Sequence, residues 1–252
     1  GTTGLSAMDY LMVDRWHVPE GDEHHYTEKI FRLPDGYHSY DPPEYAPQVG
    51  PLPYEKNGFI TFGCFNNPAK CNSDVIKTWT EILRLIPNSR MLLKYGNMDA
   101  DSTRERIYSY LDEYGIDESR VILEGASPHI ELLSRYNAVD IALDTFPYVG
   151  GLTTCEAIWM GVPVVTFPGA TFAGRHSYSH LSNIGVPDLI SKDVDNYISK
   201  SVELANDIPR LKEFRLRLRG IMSQSAFCNG EKFAADFSLG LRQIWQEWCS
   251  KN

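Results

Sequence analysis

From Gly58 onward, short apolar runs alternate with segments whose apolar residues recur every three or four positions. Residues 59–63, 91–95, 121–123, 139–143 and 164–167 have the length and apolar character of buried strands. Between the first two of these, Asn72 or Ser73 supplies a helix cap, and Val75, Ile76, Trp79, Ile82, Leu83 and Ile86 share one helical face. Further helices are predicted over 102–114, 129–136 and 172–183, then a short strand at 188–190. Three helices close the chain, over 194–206, 209–223 and 231–248. Repeated β-α units with short loops predict an α/β fold, a doubly wound parallel sheet with helices on both faces.

Residues 1–50 read differently. A short strand is predicted at 9–13 and a helix around 26–30, then a turn at Leu33-Pro34-Asp35-Gly36 and a stiff linker at Asp41-Pro42-Pro43. One strand and one helix cannot bury a core, so 1–50 is expected to be the edge of an upstream domain and 51–252 a lobe of its own. At 252 residues, 42% hydrophobic and 23% charged, the composition is that of an ordinary globular protein. A net charge of −9 with scattered Lys and Arg argues against nucleic-acid binding. No apolar run approaches the roughly 18 residues of a membrane span, and the first residues do not read as a signal peptide. Five cysteines without C-x-x-C spacing read as reduced thiols, which points to the cytoplasm.

Chemistry concentrates in residues 144–166. A strand ends at Asp144-Thr145-Phe146-Pro147-Tyr148, a turn carries Gly150 and Gly151, and a helix opens on Thr153, Thr154 and Glu156. Unpaired amides and the helix dipole favour an anion at such a terminus. Glycines let a phosphate approach the backbone, the two threonines can cap the helix or bind phosphate oxygens, and Glu156 can accept from sugar hydroxyls. Thr153-x-x-Glu156 also matches a capping box, which would turn the carboxylate back onto its own helix. The ligand that suits this set is a nucleotide, and a sugar nucleotide above others.

Lys70 follows a strand end, where it can neutralise charge on a departing diphosphate, although a solvated surface lysine is the commoner fate. Asn66 and Asn67 suit a turn. His129 and Arg135 lie on the helix expected near the cleft, where they can meet a base or sugar, or serve as a cap and a surface ion pair. Arg175 can reach a phosphate or form a structural ion pair. The seven histidines show no metal pattern: His24 and His25 are adjacent, and His176 and His180 are spaced i, i+4 without a third ligand in the nearby sequence.

Several motifs resemble one family. Residues 62–70 (Phe-Gly-Cys-Phe-Asn-Asn-Pro-Ala-Lys), the run from Asp144 to Tyr148, Thr153-Thr154-Cys155-Glu156 and Met160-Gly161-Val162-Pro163 look like the C-terminal catalytic half of the O-GlcNAc transferase and SPINDLY family. Gly1-Thr2-Thr3-Gly4, Met8-Asp9-Tyr10 and Asp14 extend the resemblance to nearly the whole chain. It implies a glycosyltransferase with two Rossmann-like lobes, the GT-B arrangement, that inverts the anomeric centre without a metal or other cofactor. By that analogy Lys70 contacts the diphosphate with Asn67 beside it, Thr153 and Thr154 hold phosphates, and His129 and Arg135 lie near the base. It further implies an N-terminal lobe bearing an active-site histidine and a superhelical repeat region, of which residues 1–50 match only the tail of the lobe. The fragment is therefore expected not to turn over alone. Animal members carry a histidine where this chain has Leu152, a ribose-binding aspartate where it has Ala157 and a uracil-stacking histidine where it has Leu132.

The function these readings imply is transfer of a sugar from a nucleotide donor to Ser or Thr hydroxyls of proteins. UDP-GlcNAc is taken ahead of GDP-fucose, the donor that the Thr-Phe-Pro-Tyr and Thr-Thr-Cys-Glu wording favours. A transferase acting on a small molecule or glycan, and a non-catalytic scaffold keeping the fold, are the rivals.

Overall fold

The computed structural model describes residues 1–251. Near the N-terminus, β1 (Tyr10–Val13) and β2 (Lys29–Arg32) pair in parallel as a two-stranded sheet. The helix expected around 26–30 is thus a strand. Tyr26 is already extended, and pairing with β1 offers residues 29–32 hydrogen bonds that a single isolated turn of helix cannot match.

The main lobe begins with α1 (Pro53–Asn57) and β3 (Ile60–Cys64), then α2 (Ser73–Leu85) and β4 (Ser89–Lys94). It continues through α3 (Asp101–Glu113), β5 (Val121–Glu124), α4 (His129–Arg135), β6 (Ile141–Leu143), α5 (Leu152–Trp159), β7 (Val164–Val165) and α6 (His176–Asn183). Helices α7 (Val194–Asn206), α8 (Ile208–Gln224) and α9 (Gly230–Lys251) complete it. The five strands form one parallel sheet in the order β5-β4-β3-β6-β7. Every residue of the central β3 is buried, as a strand covered on both faces must be. The strand expected at 188–190 is a short 3-10 turn, Pro187–Leu189, closed by the Ile190 amide donating to the Pro187 carbonyl at 3.0 Å, and a single bridge from Thr166 to Ile190 is all the pairing it keeps.

Helix α2 buries Val75, Ile76, Trp79, Ile82 and Leu83, the face its periodicity marks. Asn72 caps it by accepting from the Val75 amide at 2.9 Å, a contact worth about 1 kcal/mol. The Trp79 indole donates to the Tyr197 hydroxyl at 3.2 Å, and Tyr197 in turn donates to the Asp144 carbonyl at 2.8 Å. Helix α7 is thereby fastened to the end of β6. Helix α9 returns to the first sheet, where Gly240 lies against Phe31 and Met12 and Glu247 accepts from Tyr10 at 3.0 Å. Among the described residues no helix is long and apolar enough to cross a membrane.

Candidate functional site

The chain runs from β3 outward to β5, then crosses back to place β6 on the other side of β3. Open parallel sheets bind ligands in the crevice beyond the carboxyl ends at such a reversal. A cavity of about 590 Å³ lies there, and Asn67, Lys70, Tyr148, Gly151, Thr153 and Glu156 are among the residues lining it.

Asn66, the second residue past β3, holds the floor together. Its amide donates to Asp144 at 2.9 Å and to the Thr145 hydroxyl at 3.0 Å, while its carbonyl accepts from the Thr153 hydroxyl. One side chain therefore ties the ends of β3 and β6 to the first turn of α5. Asp144 also accepts from the amides of Thr145 (2.9 Å) and Gly150 (2.7 Å) and from Thr166 (2.7 Å). Burial pushes its carboxyl up, and these donors pull it back. Sequence reasoning gave Asp144 no role and Asn66 only a turn. The available signal was a polar residue standing directly after an apolar strand.

Asn67 does act as a turn former, accepting from the Ala69 amide at 2.9 Å, and it also lines the cavity. The turn it opens ends on Lys70. The Lys70 ammonium donates to the Val149 carbonyl at 2.8 Å and stands 3.8 Å from the centroid of the Tyr148 ring. Burial lowers its pKa, and the charge of Asp144 opposes that shift.

Helix α5 starts with Gly151 as its N-cap residue and no side-chain cap. The capping box is not formed, because Thr153 already lies inside the first turn. The two threonines part company. Thr153 faces the cavity, whereas Thr154, about 100° further round, is buried against the Ser177 hydroxyl at 2.8 Å. Thr154 is therefore not on the cavity wall, and its expected phosphate role has no geometry here. Gly150 is also off the lining: its amide goes to Asp144, and a Cβ would meet the Thr154 hydroxyl at 2.5 Å. The Thr154 amide turns to the Gly151 carbonyl at 3.1 Å, and the amides of Leu152 and Thr153 before it are left to water or a ligand.

Glu156 is buried yet reaches the cavity. Its Oε1 lies 2.8 Å from His129 Nε2, and the Tyr45 hydroxyl lies 2.8 Å from His129 Nδ1. The Nε2–H tautomer satisfies all three groups: Nε2–H donates to Glu156 and Nδ1 accepts from Tyr45. Burial raises the Glu156 pKa, and the hydrogen bond and charge of His129 oppose the rise. His129 thus backs the cavity and positions Glu156, with no place on the lining. Arg135 and Arg175 are elsewhere. Arg135 forms a forked pair with Glu124, with Nε 2.9 and 3.0 Å from its two oxygens. Arg175 donates to the Trp16 carbonyl at 2.5 Å and covers Tyr178, which spends its charge joining the N-terminal segment to α6. Leu132 and Leu152 add apolar wall to the cavity.

Comparison with known proteins places this geometry in a family. The description of Glycosyl transferase family 41 matches residues 52–237. A relative from Arabidopsis thaliana, named probable UDP-N-acetylglucosamine--peptide N-acetylglucosaminyltransferase SPINDLY, is 39% identical over 249 residues, 98% of this chain and 27% of its own length. The chain thus spans about a quarter of the length of such curated relatives. The solved structure of a Thermobaculum terrenum O-GlcNAc transferase mutant superposes with a TM-score of 0.89 at 35% identity, covering 99% of this chain and 47% of that one. Trehalose-6-phosphate synthase OtsA, at 16% identity and a TM-score of 0.57, covers 84% of this chain and 51% of its own, and shares the fold alone. This chain belongs to glycosyl transferase family 41.

Proposed function

We propose that this chain is the donor-binding half of an inverting protein O-glycosyltransferase, one that uses neither a metal nor another cofactor. The observation that carries the reading is the meeting of Lys70, Thr153 and the uncapped first turn of α5 on one cavity, with Glu156 a turn deeper. A cation facing helix amides suits a diphosphate. Glu156 Oε2 meets no protein donor among the described residues, which suits a ribose hydroxyl. The volume is ordinary for a pocket of this kind.

In the reaction, a Ser or Thr hydroxyl of the acceptor protein attacks the anomeric carbon. The new C–O bond forms as the bond to the diphosphate oxygen breaks, the configuration inverts, and the electron pair leaves with the diphosphate. Lys70 and the α5 amides stabilise the charge that develops there. The hydroxyl proton leaves to a general base. The names of the relatives support a peptide acceptor and a UDP-GlcNAc donor. Their greater length is consistent with an N-terminal lobe and a helical repeat region completing the working enzyme. Leu132 and Leu152 on the cavity wall are the specific observation favouring the second donor, GDP-fucose, because animal members place histidines there.

Calorimetric titration with UDP, GDP and ADP, repeated on Lys70→Ala, tests the reading. UDP binding that weakens in the variant is the expected result, and a preference for GDP moves the donor to GDP-fucose. A cavity that binds no nucleotide, in this chain or in a protein containing the upstream lobe, leaves the scaffold alternative standing.

A further inference from the structure

A cluster of histidines gathers where the segment after β2 crosses α5 and α6. Two of them are paired: His17 Nδ1 faces Asp14 at 3.1 Å, and its Nε2 faces His176 Nδ1 at 3.0 Å. His38 and His180 are different. His38 Nδ1 and His180 Nε2 are buried with no hydrogen-bond partner, a costly state for a polar atom in a dry setting. Cys155, on the side of α5 away from the cleft, is buried beside them with Sγ 3.8 Å from His180 Nδ1. One ring nitrogen from each histidine and the Cys155 sulfur all lie within 4.8 Å of one another.

We propose that His38, Cys155 and His180 form a binding site for a thiophilic divalent cation, with Zn²⁺ as the occupant, that pins the segment carrying His38 onto α5 and α6. The spacing fits the ion. With Zn–N near 2.0–2.1 Å and Zn–S near 2.3 Å, a tetrahedral centre puts N and S about 3.6 Å apart and two imidazole centroids about 5.2 Å apart. The observed values are 3.8 Å for His180 and Cys155 and 5.0 Å between the rings of His38 and His180. The Phe227 ring stands 5.1 Å from both imidazoles and gives the site an apolar cover. Binding takes each imidazole in its neutral form, with a ring nitrogen free to coordinate.

The ion replaces the proton of Cys155. The S–H bond breaks, its electron pair forms the metal–sulfur bond, and one proton leaves to solvent, so affinity rises with pH. A water takes the fourth position. Because Cys155 and Glu156 point to different sides of α5, the ion does not touch the nucleotide cavity, and the proposal stands apart from the glycosyl-transfer reading.

The test is titration of the metal-stripped full chain with Co²⁺, followed by its absorption spectrum. The expected result is one equivalent bound with a thiolate-to-cobalt charge-transfer band. That band disappears in Cys155→Ser, and His38→Gln and His180→Gln lose more than the roughly 10–100-fold affinity lost with an outer-shell partner. His176→Gln keeps the band. Zn²⁺ raises the Tm of the wild type and not of Cys155→Ser. A wild-type cobalt complex with no thiolate band overturns the proposal whether or not the variants fold, and leaves a plain thiol–imidazole hydrogen bond. A band that survives in Cys155→Ser overturns it equally.

Discussion

Asn66 and Lys70 divide the work at the mouth of the cavity: one fixes its shape, the other its charge. Removing the Asn66 amide takes one of the donors from buried Asp144 and leaves the Thr153 hydroxyl without its acceptor. Asn66→Ala is expected to cost about 1–3 kcal/mol and to weaken nucleotide binding as well. Urea unfolding checks the first effect and calorimetry the second; an unchanged midpoint would show that the network is not structural. Lys70→Ala should leave stability nearly intact, since the side chain is only half-buried. In a protein able to turn over, it should reduce kcat by about 10²–10³ if the ammonium holds leaving-group charge. A loss confined to KM would instead assign Lys70 to ground-state binding. Lys70 was legible in the sequence because it stands at a strand end. The separation of Thr153 from Thr154 was not, because it depends on where α5 begins, and Gly151, not a threonine, starts it.

Helix α5 is the element on which the two proposed sites meet, one on each side. Its far end is set by Gly161, at φ +74°, where a Cβ would lie 2.8 Å from the Arg215 carbonyl and from a Val49 methyl. Gly161→Ala therefore combines a left-handed penalty of about 1–2 kcal/mol with a backbone clash. It should lower Tm clearly while changing UDP affinity little in whatever fraction remains folded, because the cavity is at the opposite end of the helix. A variant with wild-type Tm would show that the turn can relax. Helix and strand positions in the main lobe followed the hydrophobic period closely. Residues 26–30 before it and 188–190 within it are short exceptions whose state was decided by partners: β1 supplied a ladder to one, and the Pro187 carbonyl drew the Ile190 amide of the other into a turn.

Across the molecule, a buried carboxylate and a buried guanidinium join the layers. Asp140 accepts from the amides of Tyr54 (2.9 Å) and Thr61 (2.8 Å), while Arg215 on α8 donates to the carbonyls of Met160 (3.0 Å) and Val139. Burial pushes Asp140 up to about 6, and its hydrogen bonds and Arg215 pull against that rise. Between its ordinary value of 3.8 and about 6, the folded state holds a proton that the unfolded chain gives up. This group's contribution therefore falls as pH rises through that window and levels off above it. Asp140→Asn removes the titration and replaces one acceptor with a donor, so it should be destabilising at pH 7. The gap to the wild type should widen toward pH 4 by up to about 3 kcal/mol. Urea unfolding at the two pH values checks this, and a gap independent of pH would mean that Asp140 titrates normally.

The local order of apolar and polar residues was enough to mark the alternation of strands and helices, the Asn67-to-Lys70 turn, and a helix opening after two glycines. Periodicity and turn chemistry are properties of neighbours in the chain, so the sequence carries them openly. The crossing that puts β6 beside β3, and with it the position of the cavity, was decided only when the sheet assembled. The same holds for Asp144 meeting Asn66, for Arg135 turning to Glu124, and for His38 reaching Cys155 and His180 from more than a hundred residues away. Each of these depends on how the chain closes back on itself. Burial then decides which polar groups must find one another, because a dry interior leaves them no water to turn to.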